Sequence, residues 1–415
     1  MRVYIETYGC TANKYDESII KGVLKQHQHQ IVDDITDADT VIILTCTVIG
    51  TTEQRMISRL KLFIKTKKKI IITGCMPSVQ KDLLIKNAPT AVLLSLHDIH
   101  FIDYVLKGEG IPNLDLNTKN IPKYFPELFA PISIAQGCLF SCSYCITHLA
   151  RGKLHSFSKH QILTDVHQAL QQGCKEIFLT AQDTASYGID TGDTLADLLQ
   201  SICTINNDFR VRIGMMNPAT ALKNLDSIIT AYKHNKIYKF IHLPVQSGND
   251  ILLKQMNRTY TIHDFKKIIS KFRKFHKNIC LSTDIIVGYP GETDEQFDNS
   301  VTLVKEIRPD IVNITRFSPR PLTKAKTLKN KVPTDIVKKR SKKITLVCKK
   351  ILSDVNKEHI GNKYSVLITK HHNGFVVGRS DNYKPVLIKQ HIDIGERVSV
   401  EIVNVQNIHL VGKLI

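Results

Sequence analysis

Three cysteines lie within the nine residues GCLFSCSYC, where Cys138, Cys142 and Cys145 have the spacing C-x3-C-x2-C. Disulfides need thiols in pairs, and a structural zinc site needs four ligands that usually come as two C-x2-C pairs. Three thiolates can instead bind three irons of a cubane cluster and leave the fourth iron open to an outside ligand. The spacing therefore raises the hypothesis of an iron–sulfur cluster, which the surrounding sequence has to support.

A second group of cysteines follows the strands predicted in residues 1–108. There, apolar strands alternate with amphipathic helices, which predicts a parallel sheet covered by helices. The strands RVYIET, TVIILT and KIIITG lead into Cys10, Cys46 and Cys75, respectively. Ligands of open parallel sheets bind beyond the carboxyl ends of the strands, so we expect the three thiols to converge there. One such cysteine alone would be a packing residue, but three at equivalent places indicate a shared site.

The alternation of strands and helices resumes after a proline-containing loop at residues 111–129. The predicted strands are PISIAQ, EIFLTA, RVRIGM, FIHLPV, CLSTDIIV and IVNITRF. These repeats predict an open, partial (β/α)6 barrel of the TIM type, with an active site at the carboxyl ends of its strands. Short strands and turns near the C-terminus predict a small all-β barrel of a kind that often binds single-stranded nucleic acid. We therefore predict an α/β fold with an N-terminal open parallel βα domain, this partial barrel and a C-terminal β-barrel.

Basic residues exceed acidic ones, with 57 Lys and Arg against 38 Asp and Glu and a formal net charge of +19. Twelve of the basic residues lie between Arg320 and Lys350, where Asp335 is the one acid. Pro333 and Thr334 predict the start of a helix in this stretch. The basic residues of its polar face are Lys338, Lys339, Lys342, Lys343 and Lys349. On charge alone, this face is either simply solvated or a phosphate-binding surface.

No apolar run approaches the length of a membrane span. The N-terminal residues MRVYIETYGC are predicted to form a strand and not a signal peptide. We expect a cytoplasmic protein without a membrane partner, in which the ten cysteines stay reduced.

The stretch GCLFSCSYC at the first turn of a partial barrel resembles the radical S-adenosylmethionine superfamily. Further stretches resemble the methylthiotransferases of that superfamily over the whole chain, namely TYGCTANKYDES, LTCTV, TGCMP, HLPVQSGNDILLKQMNRTYT, TDIIVGYPGET and FSPRP. The C-terminal segment with VVGRSDNYKPV resembles the TRAM RNA-binding module. ARGKLHSF and LTAQDTASYG are similar to the archaeal and eukaryotic branch, which acts on N6-threonylcarbamoyladenosine at position 37 of tRNA. Leu44, Leu322 and Lys324 depart from the family pattern, but none of them is at a ligand position.

The resemblance implies three domains and two kinds of cofactor. The domains are an N-terminal methylthiotransferase domain (1–110), a radical S-adenosylmethionine barrel (124–355) and a TRAM domain (357–415). One [4Fe–4S] cluster would be held by Cys138, Cys142 and Cys145, and its open iron would bind S-adenosylmethionine. The radical formed from S-adenosylmethionine would remove hydrogen from C2 of the adenine. Cys10, Cys46 and Cys75 would hold a second [4Fe–4S] cluster that carries the sulfur. A second S-adenosylmethionine would give the methyl group of the 2-methylthio product.

The resemblance also implies a pocket for S-adenosylmethionine and a set of partners. The predicted pocket residues are Gln182 and Asp183 for the amino acid end, Gln246 and Ser247 for the ribose, and Asp284 and Gly288 for the adenine. The alternative for each is simple loop structure, because such residues also make good turns. The expected partners are the anticodon loop of ANN-decoding tRNAs and an electron donor such as a flavodoxin or ferredoxin, with the protein a monomer.

Three alternatives remain at this point. The same chemistry could act on an aspartate of a ribosomal protein, as it does in one relative of the family. The chain could also be an iron–sulfur, RNA-binding protein without catalysis, although VQSG and VGYPGE argue for a pocket that such a protein does not need. A four-cysteine zinc protein is the weakest alternative, because neither triad has a fourth cysteine at a matching place.

Overall fold

Residues 1–112 form a parallel β-sheet with helices between its strands, as the sequence predicts. The computed structural model describes residues 1–112, 121–372 and 374–415. The strands of the first range are β1 (Arg2–Thr7), β2 (Gln30–Val32), β3 (Thr40–Thr45), β4 (Lys69–Gly74) and β5 (Val92–Leu93), in the spatial order β2-β1-β3-β4-β5. Its helices are α1 (Thr11–Gln26), α2 (Gly50–Lys65), α3 (Met76–Val79), α4 (Lys81–Asn87) and α5 (Ile102–Lys107). Residues 113–120 of the proline-containing loop lie outside the described residues.

This sheet is buried on both faces, which explains the continuous apolar runs of its central strands. Every residue of β3 is buried. One face packs against α1 through Ile20 and Leu24, and the other packs against α2 through Leu60 and Phe63. The parallel register pairs the end of β1 with the end of β3, and Thr45 of β3 with the last residue of β4. The three strands therefore end at one edge, where the predicted cysteines follow.

Strands and helices continue to alternate from residue 121 to residue 317, which confirms the predicted α/β character of the central region. The strands are β6 (Phe129–Ser133), β7 (Ala135–Gln136), β8 (His155–Ser156), β9 (Glu176–Thr180), β10 (Arg210–Ile213), β11 (Phe240–His242), β12 (Cys280–Val287) and β13 (Ile311–Arg316). The helices are α6 (Thr147–Arg151), α7 (Lys159–Gln171), α8 (Leu195–Cys203), α9 (Pro218–Lys223), α10 (Leu225–Ala231), α11 (Asp250–Gln255), α12 (Ile262–Phe275) and α13 (Asp294–Ile307). β6 pairs with β9, and β12 pairs with β11 and β13, all in parallel. The short antiparallel pair β7–β8 is an addition that the sequence does not predict.

The C-terminal segment ends in a closed β-barrel, as predicted. It begins with α14 (Lys324–Thr327) and with α15 (Thr334–Lys357), which starts directly behind Pro333. The barrel strands are β14 (Lys363–His372), β15 (Phe375–Ser380), β16 (Pro385–Ile388), β17 (Arg397–Gln406) and β18 (His409–Leu414), in the order β14-β15-β16-β18-β17. Aliphatic side chains such as Val366, Val386 and Leu410 fill its interior. Within the described ranges, every helix is too short or too polar to cross a membrane.

The chain divides into two compact units. The first unit contains residues 1–182 together with residues 318–327, and the second contains residues 183–317 and 328–415. Both cysteine triads therefore belong to the first unit. The basic helix α15 and the β-barrel belong to the second.

Within the second unit, a buried lysine joins the β-barrel to its neighbours. The ammonium group of Lys384, in the turn before β16, lies 2.5 Å from a carboxylate oxygen of Asp310 and 2.8 Å from the amide oxygen of Asn356. The other oxygen of Asp310 accepts the backbone N–H of Leu281 at 2.7 Å. Lys384, Asp310 and Asn356 are all buried. Because each charge is buried and compensated, the loss of one partner should be costly.

We predict that Lys384→Ala lowers the free energy of unfolding by about 3–5 kcal/mol, because it leaves the Asp310 carboxylate buried without a counter-charge. Denaturant unfolding followed by circular dichroism measures the change. The matched control is Arg397→Ala, which removes a barrel cation that pairs at 3.1 Å with the exposed Asp208. That change should cost less than about 1 kcal/mol. Equal effects of the two substitutions would contradict the prediction.

Candidate functional site

The loop that carries Cys138, Cys142 and Cys145, called here the loop triad, is fixed at its start by Gly137. The N–H of Gly137 donates to the side-chain oxygen of Gln182 at 2.7 Å, directly after β9. Gly137 has a φ of +80°, and a Cβ at this position would lie 1.9 Å from the carbonyl oxygen of Lys153. The N–H of Cys138 donates to the carbonyl oxygen of Gly152 at 3.2 Å. Gln182 and residues 152–153 therefore clamp the backbone from which the first thiol extends.

The rest of this loop is held by its own backbone and by residues 318–327. The N–H of Cys145 donates to the carbonyl oxygen of Cys142 at 3.0 Å, which places these two cysteines on one tight turn. The N–H of Ala325 donates to the carbonyl oxygen of Ser143 at 2.8 Å. Cys142 is buried, whereas Cys138 and Cys145 are half-buried. Hydrogen bonds therefore hold the loop in place, and the side chains of Cys138 and Cys145 are partly accessible to solvent.

The structure also brings together Cys10, Cys46 and Cys75, called here the strand triad. Cys10 directly precedes α1, while Cys46 and Cys75 directly follow β3 and β4. A Cβ on Gly9 would lie 3.1 Å from the Cβ of Cys46, so the segment before Cys10 passes close to Cys46. The N–H of Cys75 donates to the carbonyl oxygen of Thr45 at 2.9 Å. The aligned strand ends therefore place three thiols at one edge of the sheet.

Burial is the largest influence on the pKa of Cys46 and of Cys75. It raises the pKa of Cys75 to about 12, against a lowering influence of Arg151 and a further raising influence of Cys10 and Cys46. Burial also raises the pKa of Cys46. The thiols influence one another electrostatically, so they are neighbours in space. Thiol ligands must lose their protons on binding a metal, so metal binding here should release protons.

The number of thiols in each triad suits a cubane cluster. Among the described residues, no three Cys, His, Asp or Glu side chains converge tightly enough to hold one ion. The sulfurs that bind a cubane attach to different irons and therefore stand further apart than the ligands of one ion. Each triad offers three thiols, which is the donor set of a [4Fe–4S] cluster with one open iron.

Arg151 connects the two triads. Its guanidinium donates to a carboxylate oxygen of Asp16 at 2.6 Å and to the amide oxygen of Asn13 at 2.7 Å, both on α1 behind Cys10. The thiol of Cys75 lies 3.9 Å from the same amide oxygen. The next residue, Gly152, accepts the N–H of Cys138. The sequence patterns predict no role for Arg151, and the one signal that could have found it is its place in ARGKLHSF, six residues beyond the last cysteine of the loop.

Of the residues predicted for S-adenosylmethionine, Gln182 and Asp183 make supporting contacts. Gln182 holds Gly137, as described above. The buried Asp183 carboxylate accepts the N–H groups of Ala185 at 3.1 Å and Asn217 at 2.9 Å, and the hydroxyl of Thr220 at 2.7 Å. Burial raises the pKa of Asp183 to about 6, although these hydrogen bonds lower it. Asp183 therefore ties the loop after β9 to the start of α9.

Gln246 and Ser247 lie in a tightly held loop of the second unit. Gln246 has a φ of +72°, which is unusual for a residue other than glycine. Its N–H donates to the carbonyl oxygen of Asp284 at 2.8 Å, and its carbonyl accepts the N–H of Ile286 at 3.0 Å. The hydroxyl of the buried Ser247 accepts the N–H of Asn249 at 3.2 Å. Strained backbone that persists in this way is typical of functional sites.

Asp284 and Gly288 lie on and directly after β12. The Asp284 carboxylate lies 2.9 Å from Nε2 of His242 on β11 and accepts the side-chain N–H of Asn313 on β13 at 2.7 Å. This polar row crosses three neighbouring strands, and its side chains are partly exposed. No local sequence pattern indicates the pair of His242 and Asp284, because the two residues are 42 positions apart and meet only in the fold.

Gly288 is supported by an arginine of the basic helix. Its N–H donates to a carboxylate oxygen of Glu292 at 2.8 Å, and the same oxygen accepts a hydrogen bond from Arg340 of α15 at 2.8 Å. A Cβ on Gly288 would lie 2.4 Å from the side chain of Val337. Arg340 is therefore a buried structural residue and not part of the exposed basic face.

The exposed face of α15 keeps most of the predicted lysines. Lys338, Lys339, Lys342 and Lys349 are exposed, and Lys343 forms an ion pair with Asp298 at 2.6 Å. These cations repeat along one side of a helix of 24 residues. Such a row can contact successive phosphates of a nucleic acid.

Family models match three segments of the chain. The segments are residues 2–95 with the description Uncharacterized protein family UPF0004, residues 132–304 with Radical SAM superfamily, and residues 357–415 with TRAM domain. The radical SAM match implies a [4Fe–4S] cluster and S-adenosylmethionine as cofactors.

Curated relatives match the chain over its full length. A protein of Pyrococcus abyssi, named probable threonylcarbamoyladenosine tRNA methylthiotransferase, is 41% identical over 424 residues, which cover 100% of this chain and 99% of the relative. The Homo sapiens threonylcarbamoyladenosine tRNA methylthiotransferase is 32% identical and is matched over 97% of this chain and 72% of its own length.

The fold is similar to that of a solved radical enzyme. The radical S-adenosylmethionine methyltransferase TsrM from Kitasatospora setae superposes with a TM-score of 0.58 at 12% identity, over 78% of this chain and 75% of TsrM. At this level of identity the likeness concerns the fold alone.

We predict that Gly137→Ala prevents the loop triad from binding iron, because the added methyl would collide with the Lys153 carbonyl and displace Cys138. Iron per chain after anaerobic reconstitution should fall from about eight to about four, since the strand triad is unaffected. The control is Gly173→Ala, which has a similar left-handed φ of +90° but no described atom within 4 Å of the new methyl. Full iron loading of Gly137→Ala would contradict this view of the loop.

Proposed function

The chain belongs to the threonylcarbamoyladenosine tRNA methylthiotransferase family, and we propose that it converts N6-threonylcarbamoyladenosine at position 37 of tRNA to its 2-methylthio derivative. The observation that carries this proposal is the pair of three-cysteine sites in one compact unit, joined by Arg151. Sulfur insertion at an unactivated carbon needs one site that generates a radical and one that delivers sulfur. The loop triad would be the site that generates the radical, and the strand triad would be the site that delivers sulfur.

When bound, the two [4Fe–4S] clusters and S-adenosylmethionine supply the electron, the radical chemistry, the sulfur and the methyl group. The protein's own residues bind and orient these groups. Cys138, Cys142 and Cys145 would hold one cluster on the clamped loop, and the strand triad would hold the other. The clamp from Gln182 and Gly152 keeps the loop in place while the substrate is bound.

We propose that S-adenosylmethionine is bound by Gln246, Ser247, Asp284 and Gly288, with Gln182 and Asp183 in supporting positions. The partly exposed Asp284 carboxylate is suited to a hydrogen bond with a polar ligand, and the left-handed backbone of Gln246 is hydrogen-bonded directly to Asp284 and fixes the loop beside it. Asp183 acts indirectly, because its oxygens already accept three hydrogen bonds from the protein. Asp183 would therefore hold the loops of the pocket in their positions relative to each other.

The tRNA would be held by the TRAM domain at residues 357–415 and by the exposed lysines of α15. An adenine beside the anticodon must leave its stack before a reagent can reach C2, so the protein has to grip the flanking backbone. Cationic side chains provide such a grip through contacts to phosphates. We further propose that the substrates are ANN-decoding tRNAs recognised at the anticodon loop, and that the enzyme acts as a cytoplasmic monomer. A flavodoxin or ferredoxin would be the electron donor.

We predict that the two triads fail in different ways. Replacing Cys138, Cys142 and Cys145 by Ala should abolish cleavage of S-adenosylmethionine to 5′-deoxyadenosine. Replacing Cys10, Cys46 and Cys75 by Ala should leave this cleavage intact but stop methylthiolation. Chromatography of small-molecule products and mass spectrometry of tRNA nucleosides measure the two outcomes.

The control is a double variant, Cys174→Ala and Cys203→Ala. It removes two buried thiols that lie outside the triads. It should retain both activities. A strand-triad variant that still forms the 2-methylthio nucleoside would contradict the assignment of that site. A wild-type enzyme that leaves tRNA unchanged but modifies a ribosomal-protein aspartate would replace the proposed substrate.

We predict that Lys338→Gln, Lys339→Gln and Lys342→Gln together weaken tRNA binding and flatten its salt dependence. The slope of log K against log salt should fall by about 0.7 for each phosphate that the variant no longer neutralises, so by at most about 2. Filter binding of substrate tRNA over a salt series measures this slope.

The matched control replaces three other exposed lysines of the second unit by Gln, namely Lys267, Lys274 and Lys277. It changes the net charge equally, so it separates a local contact from general attraction. Cleavage of S-adenosylmethionine without tRNA should be unchanged in both triple variants. Equal slopes for the two variants would show that α15 does not contact the tRNA.

A further inference from the structure

Two buried arginines lie beside the strand triad. Arg151 and Arg320 are each 4% exposed, and they come from distant parts of the chain to the same unit. Arg151 reaches Asn13 and Asp16 on α1. Through the Asn13 amide oxygen, it shares a contact with the thiol of Cys75.

Arg320 approaches the triad from the side of Cys46. Its guanidinium forms an ion pair with Glu53 on α2 and contacts the side-chain oxygen of Gln80 at 3.4 Å. The same Gln80 oxygen accepts the hydroxyl of Thr47, the residue directly after Cys46. Asn13 therefore links Arg151 to the thiol of Cys75. Gln80 links Arg320 to Thr47, the neighbour of Cys46 in the chain.

Each arginine also has one donor for which the described residues offer no acceptor. The Nε–H groups of Arg151 and Arg320 are buried, and neither has an acceptor among the described residues. Most buried donors in proteins are paired, because burial without an acceptor is costly. Two such donors around one group of thiols point to an acceptor that belongs to the bound state. Sulfur atoms of a cluster and its thiolate ligands are acceptors of this kind.

The charges agree with the geometry. Arg151 lies within electrostatic reach of Cys10, Cys46 and Cys75, and Arg320 lies within reach of Cys46. Arg151 forms an ion pair with Asp16, and Arg320 forms one with Glu53. Three thiolates and a cubane core add net negative charge, and reduction by one electron adds more. Net charge and hydrogen bonds to the sulfurs are among the influences that set the potential of such clusters.

We propose that Arg151 and Arg320 are positioning residues that stabilise the negative charge of a cluster on the strand triad and so raise its reduction potential. This inference rests on the proposed function, because it requires that the strand triad binds a cluster. It assigns a role to two side chains that hold no metal themselves.

The test uses the full-length chain with Cys138, Cys142 and Cys145 replaced by Ala, so that the signal comes from the strand triad. Electron paramagnetic resonance at controlled potentials gives the midpoint potential. In this background, Arg151→Gln and Arg320→Gln should each make reduction at least tenfold less favourable, which corresponds to a shift of about −59 mV for one electron. Arg151→Lys should shift the potential less than Arg151→Gln, because it keeps the positive charge although it removes the guanidinium donors.

Two carboxylate variants test the sign of the effect. Asp16→Asn and Glu53→Gln each remove a negative charge at the same places, so they should raise the potential. If the substitutions only loosened the site, the arginine variants and the carboxylate variants would not shift the potential in opposite directions. Arg2→Gln is the control, because Arg2 pairs with Asp39 at 2.9 Å at the opposite end of β1. It should leave the potential unchanged.

The outcomes separate this inference from the proposed function. A background protein that binds no iron and sulfide would overturn both. A bound cluster whose potential is the same in Arg151→Gln, Arg320→Gln and Arg2→Gln would overturn the inference alone, as would carboxylate variants that lower the potential. If an arginine variant loses its cluster, the carboxylate variants still decide the sign. Shifts of opposite sign for the two kinds of variant would support the inference.

Discussion

The buried ion pair between Arg151 and Asp16 is the interaction on which the arrangement of the site depends. Its 2.6 Å contact connects the turn after the loop triad to the helix that begins at Cys10. Removing either charge would leave the other buried and uncompensated, so the two segments stay together. Because Gly152 follows Arg151 and accepts the N–H of Cys138, the same turn positions both triads. The geometry of one site therefore constrains the other.

Much of this could be predicted from the sequence, because it depends on local patterns. The runs TVIILT and KIIITG are apolar at most positions, and the burial of β3 and β4 follows from that. Parallel strands end at a common edge, so the meeting of Cys10, Cys46 and Cys75 followed from their positions in the pattern. The C-x3-C-x2-C spacing indicated the loop triad directly. The alternating pattern near the C-terminus likewise predicted a closed barrel.

The supporting residues could not be predicted, because their partners are distant in sequence. Arg320 binds Glu53 across 267 positions, and Arg151 binds Asp16 across 135. No local pattern indicates such pairs. Asp183 shows the related problem that a polar residue after a strand can serve the fold as well as a ligand. Its three internal hydrogen bonds give it a structural role that its position did not distinguish from ligand binding.

The central claim is that the chain binds two iron–sulfur clusters, one on each triad of the first unit. Iron and sulfide analysis of anaerobically prepared full-length protein tests it most directly. The expected result is about eight irons and about eight sulfides per chain, as two cubane clusters require. One zinc per chain without sulfide would contradict it.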